Sequence, residues 1–100
     1  MAKVIFTISY QINPDKRYEY VALSKELKEY LMGTKGKNYS IYEQKGKKNS
    51  FAEVFVCESI EEYDQLEDDQ DEKLEGLVQR LEGMLFNGKM KYTTLLESGE

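Results

Sequence analysis

Hydrophobic positions change period several times along the chain, and each change marks an element. The run Lys3-Val4-Ile5-Phe6-Thr7-Ile8-Ser9-Tyr10 is rich in β-branched and aromatic residues, which predicts a strand over 3–10. Alternation places Val4, Phe6, Ile8 and Tyr10 on one face and Ile5 and Thr7 on the other. Asn13-Pro14 supplies a helix cap and a first-turn proline. Tyr20, Leu23, Leu27, Tyr30 and Leu31 then recur at helical spacing, with Gly33 as the expected stop. Residues 37–45 and 50–58 read as two strands of a hairpin joined by Gly46-Lys47-Lys48-Asn49. Ser59 followed by Glu62 is a capping box, so a helix is expected from Ile60. Asp68-Asp69-Gln70-Asp71 has low helix propensity and predicts a break near 68–71. A second helical stripe holds Leu74, Leu77, Val78, Leu81 and Leu85, with Asn87-Gly88 expected to end it. Residues 89–97 close the series as a strand, with Met90, Tyr92, Thr94 and Leu96 on one face.

The order β-α-β-β-α-β is the α+β ferredoxin-like arrangement, with a four-stranded antiparallel sheet in one domain over residues 1–100. Helices on one side cover only one face of such a sheet. Several strands are nevertheless apolar on both. Val4 and Phe6 alternate with Ile5, Phe51 and Phe55 with Ala52, Val54 and Val56, and Tyr92 and Leu96 flank Leu95. Alternation alone does not decide which face meets the helices. A bare apolar sheet face is an interaction surface, so a symmetric homodimer formed sheet against sheet is expected.

Composition narrows the chemistry. Leu, Ile, Val and Phe total 24 of 100 residues, enough for a modest core. There is no His and no Trp, and Cys57 is the single cysteine. That removes the usual acid–base group near neutral pH, a Cys-rich zinc site and an internal disulfide framework. No metal or other cofactor is expected. No apolar run is long enough to span a membrane, and the start Met1-Ala2-Lys3-Val4 lacks the apolar stretch of a signal peptide, so a cytoplasmic protein with no membrane partner is expected.

The candidate functional residues are few. Tyr20, Tyr30, Tyr63 and Tyr92, joined by Tyr10, lie on elements that can face a cavity. Their hydroxyls either orient an aromatic or carbonyl ligand or reach water at the edge of the core. Glu53 sits mid-strand among Phe51, Val54 and Phe55. It is either a carboxyl of raised pKa able to act as a base, or a structural residue that pairs with Lys3, Lys45 or Lys91 or lies at the wet rim of a dimer. Cys57 reads as a small buried hydrophobe. The segment Glu58 to Glu75 carries ten carboxylates against Lys73 alone, but its spacing does not fit a calcium-binding loop, and a solvated helix face is expected.

Lys35, Lys37, Lys45, Lys47 and Lys48 form a basic patch around the hairpin. RNA-recognition motifs share this strand order but stack bases on third-strand aromatics. Here Glu53 stands where the second aromatic would be, and the net charge is −5, so no nucleic-acid partner is expected.

On its strand order and on Phe51-Ala52-Glu53-Val54-Phe55 followed by Cys57-Glu58-Ser59-Ile60-Glu61-Glu62-Tyr63, the chain resembles the dimeric α/β-barrel superfamily, which includes antibiotic-biosynthesis-monooxygenase-like domains. The resemblance implies a homodimer whose sheets form a barrel, with a ligand cavity between sheet and helices. The haem-degrading members use an axial His and a Trp, which this chain lacks. The expected function is a small homodimeric domain that binds a small apolar or aromatic ligand. A cofactor-independent monooxygenase of aromatic substrates and a ligand-sensing regulatory module are the alternatives.

Overall fold

The computed structural model describes residues 3–68 and 71–99. Four strands, β1 (Val4–Ile12), β2 (Tyr39–Glu43), β3 (Ser50–Cys57) and β4 (Leu85–Leu96), form one antiparallel sheet in the order β2-β3-β1-β4. Three α-helices, α1 (Arg17–Lys28), α2 (Ile60–Asp68) and α3 (Glu72–Glu82), complete the ferredoxin-like fold.

The Asn13 side chain accepts a hydrogen bond from the Asp15 N–H at 3.0 Å and starts a 3₁₀ turn over Pro14–Lys16 that runs into α1. Helix α1 buries Tyr20, Leu23, Ser24 and Leu27. It then widens into a π turn over Glu29–Thr34, where the Lys35 N–H reaches the Tyr30 carbonyl at 2.9 Å. The widened turn moves the expected stop. Gly33 lies inside it, and the left-handed residue that lets the chain leave is Gly36, at φ 65°.

The capping box forms: Ser59 Oγ accepts from the Glu62 N–H at 3.1 Å, and the Glu62 carboxylate reaches back to the Glu58 N–H. The expected break separates α2 from α3. Asp71 caps α3 by accepting from the Lys73 and Leu74 N–H groups, both at 3.1 Å, while residues 69 and 70 lie outside the described residues. A bidentate Arg80–Glu26 pair, at 3.0 and 2.8 Å, ties α3 to α1.

The end of α3 departs from expectation. The helix stops at Glu82, and Leu85 belongs to β4, opposite Ile12. Asn87-Gly88 does not end a helix but lies inside β4. Tyr10 pairs with Met90 and Ile12 with Leu85, so one residue of β1 faces four of β4. That excess is accommodated as a bulge, with Gly88 at φ 70° and Asn87 Oδ1 accepting from the Lys89 N–H at 3.1 Å. An Asn-Gly pair serves a strand bulge as readily as a helix end, which is why the motif misleads.

Register settles which sheet face meets the helices. Phe51, Glu53, Phe55 and Cys57 of β3 and Val4, Tyr10 and Ile12 of β1 are buried on the helix side. Tyr10, Ile12, Phe51 and Phe55 among them pack with Tyr20, Leu23, Leu27, Leu31, Leu77 and Leu81 in one core. The opposite face presents Ile5, Ala52, Val54, Val56 and Leu95, and Leu95 is 52% exposed. The more aliphatic alternation of β3 is thus the outer one, and the carboxylate-bearing one is inner. Among the described residues no helix is long and apolar enough to cross a membrane.

Candidate functional site

The paired registers lay the helix-facing side chains out as rows across the sheet. One row reads Ile41, Glu53, Ile8, Tyr92; the rows on either side read Tyr39, Phe55, Phe6, Thr94 and Glu43, Phe51, Tyr10, Met90. Glu53 therefore sits on a central strand, with Tyr39 and Tyr10 diagonally across on the two neighbouring strands. Diagonal positions are about 7–8 Å apart, within reach of long side chains.

Tyr39 donates to Glu53 Oε1 at 2.6 Å. The Tyr10 hydroxyl also interacts with the carboxyl and shares a 2.7 Å hydrogen bond with the Tyr20 hydroxyl, which descends from α1. Glu53 is 5% exposed. Burial pushes its carboxyl above the usual carboxylate range, and the hydrogen bonds from Tyr39 and Tyr10 offset this only in part. Burial likewise raises Tyr10, Tyr20 and Tyr39, and the Glu53 charge adds to the shift of each. The lysine pairing expected for Glu53 is not formed. Lys3 lies 3.8 Å from Glu58, Lys91 stands opposite Ser9 on the other sheet face, and Lys45 belongs to the hairpin turn. A one-residue offset along a strand is enough to send a side chain to the wrong face.

Of the sequence candidates, Tyr10 and Tyr20 thus join Glu53. Tyr63 and Tyr92 form a second group around Phe6. The Tyr92 ring stacks on Phe6 at 6.1 Å and 15°, the Tyr63 ring meets Phe6 edge-on at 5.8 Å, and the Tyr63 hydroxyl lies 3.0 Å from Thr94 Oγ1. Although Tyr92 faces the helix side, it is 59% exposed, because the helices leave the β4 edge partly uncovered. Tyr30 belongs to neither group. Its hydroxyl donates to Asp71 Oδ2 at 2.5 Å, and Lys73 lies over its ring at 4.9 Å. With the Tyr30 hydrogen bond as the largest influence, and Lys35 at 3.2 Å, the Asp71 carboxyl is lowered to about 2.

Sequence reasoning missed Tyr39, whose ring packs on Phe55 at 4.8 Å. Its parity with Ile41 and Glu43 was a visible signal; its alignment with Glu53 was not, because that needs the hairpin register. Cys57 is buried with its thiol raised by burial, as a small core residue. The hairpin patch does not hold together, since Lys35 turns away to Asp71.

No family model and no curated protein matches the chain. Solved structures do match. A conserved protein of Methanosarcina mazei superposes with a TM-score of 0.82 at 16% identity, covering 98% of this chain and 95% of its own. A DABB-family protein with a ferredoxin-like fold from Mesorhizobium loti gives 0.73 at 13%, covering 99% and 100%. SnoaB, a cofactor-independent oxygenase of Streptomyces nogalater, gives 0.73 at 9%, covering 98% and 94%. The chain thus has the fold shared by antibiotic-biosynthesis-monooxygenase-like and DABB ferredoxin-like proteins. At these identities the likeness is one of fold.

Proposed function

We propose that this chain is a single-domain cytoplasmic protein that works as a homodimer and binds a small aromatic or apolar ligand between sheet and helices. The observation that carries this reading is the half-open aromatic group of Phe6, Tyr63 and Tyr92. A stacked and an edge-on ring already prepare a surface for a further ring, and the Tyr63 and Thr94 hydroxyls add directional polar contacts. The outer sheet face supports the dimer, since among the described residues no element covers Ile5, Val54, Val56 and Leu95.

Thermal-shift and calorimetric titration with naphthol and anthrone tests the ligand reading. A binder at about 100 times its Kd raises stability by about 2.7 kcal/mol. The shift is expected to disappear in Tyr92→Ala. The absence of any shift across a panel of bicyclic and tricyclic phenols and ketones overturns the reading.

A second reading is catalytic, favoured by the raised carboxyl of Glu53 and by the likeness to SnoaB. Glu53 would take the proton of a phenolic substrate in a cofactor-independent oxygenation. It ranks second because Ile8 lies between Glu53 and Tyr92 in the same row. Dioxygen uptake with anthrone that vanishes in Glu53→Gln while binding persists would move it to first.

A further inference from the structure

The outer sheet face carries a feature that neither reading uses. At the end bounded by the β2–β3 hairpin and the β4 bulge it hollows into a groove of about 760 Å³. Ser9 and Gln11 of β1 and Ala52 of β3 contribute to its lining, as do Lys47 of the hairpin and Lys89 and Lys91 of β4. Among the described residues no Asp or Glu lines it, in a chain where acidic residues outnumber basic ones by 19 to 14.

Three lysines from two separate segments therefore line one concavity. Among the described residues Lys47, Lys89 and Lys91 make no ion pair. Glu43, at the hairpin end of β2, has its carboxylate engaged elsewhere. It is held by Arg17 at 2.7 Å and by the Asn49 N–H at 2.8 Å. Gathering like charges without a counter-charge is unfavourable in the empty groove and favourable once an anion enters. The bulge adds a donor. Asn87 Oδ1 is occupied by the Lys89 N–H, which leaves Asn87 Nδ2 to donate. The volume is that of a small-molecule site. It adjoins the apolar part of the face at Ala52 and extends away from it, with Ser9 four residues from Ile5 along β1, about 13 Å.

We propose that this groove binds a compact multivalent anion, a small molecule bearing phosphate or carboxylate groups, held by Lys47, Lys89 and Lys91. Strand positions Lys89 and Lys91 share one face, two residues apart, and Lys47 faces them across the groove, which suits a ligand with charge at both ends rather than a single monovalent ion.

The test is an amide-resolved NMR titration of the full chain at low ionic strength. Pyrophosphate is the first probe; citrate and glycerol phosphate are parallel arms that separate phosphate from carboxylate. Saturable shifts are expected at Gln11, Lys47, Asn87, Lys89 and Lys91, weakening as salt rises. Lys89→Gln with Lys91→Gln is expected to weaken binding about tenfold or more, the scale of losing charged hydrogen bonds. The control pair Lys25→Gln with Lys28→Gln, on α1, is expected to leave it unchanged. Equal losses in both pairs, or shifts that do not saturate with any of the three anions, overturn the proposal. Tighter binding of a single-stranded oligonucleotide than of pyrophosphate on the same residues also overturns it, in favour of a nucleic-acid surface.

Discussion

Glu53 carries the sharpest residue-scale consequence. Its carboxyl is raised in the fold above its ordinary value of 4.5, chiefly by burial. The native state therefore holds the proton more tightly than the unfolded chain does. Stability is unaffected by this group below the ordinary carboxylate range and declines as pH rises toward the folded pKa. Glu53→Gln keeps the shape and an acceptor for Tyr39 but does not titrate. Between the two pKa values the variant is expected to gain on the parent by about 1.4 kcal/mol per pH unit. Urea denaturation of both proteins from pH 4 to pH 8 measures it, and parallel curves would show that the carboxylate is not disfavoured by burial. That Glu53 is a special position was legible from one strand, where a carboxylate interrupts an apolar run. Its partners were not, because Tyr10, Tyr20 and Tyr39 come from three other elements and meet only through register.

At the scale of elements, the glycines separate backbone need from local habit. Gly88 has φ 70° in the β4 bulge, and no atom of the described residues lies within 4 Å of the place a Cβ would occupy. Gly76 lies within α3 in equally open space. Gly88→Ala is expected to cost about 1–2 kcal/mol through backbone strain alone. Gly76→Ala is expected to add about 0.5–1 kcal/mol through helix propensity. Thermal denaturation of the two variants should move Tm in opposite directions. The same contrast explains what the pattern of residues revealed. Strands, helices and the break near 68–71 were legible because periodicity and capping are local properties. The π turn that displaces the stop from Gly33 to Gly36, and the bulge that claims Leu85 and Asn87-Gly88 for β4, depend on how neighbouring elements dock.

For the whole molecule, the proposed assembly rests on the outer sheet face. Val54 lies at its centre, opposite Thr7 of β1 and Ser40 of β2. In the proposed homodimer the mass in solution is twice the 11.7 kDa of the chain. Val54→Lys places an unpaired charge in that interface and is expected to give a folded monomer. Sedimentation velocity and circular dichroism together check it; a parent protein that sediments as a monomer at micromolar concentration refutes the dimer. That both faces are apolar was legible in the alternation. Which one stays open was not, since the choice rests on where Tyr20, Leu23 and Leu27 land.

The bulge in β4 has a bearing on solubility. With the order β2-β3-β1-β4, the two free edges of the sheet are a five-residue strand and a twelve-residue one. A long edge that exposes Phe86, Leu95 and Leu96 offers unpaired backbone groups to any extended segment that drifts past. The excursion at Asn87-Gly88, followed by Lys89 and Lys91, interrupts that row and sets positive charge beside it. The detour in the backbone thus breaks up the flat, continuous edge that strand-on-strand association requires.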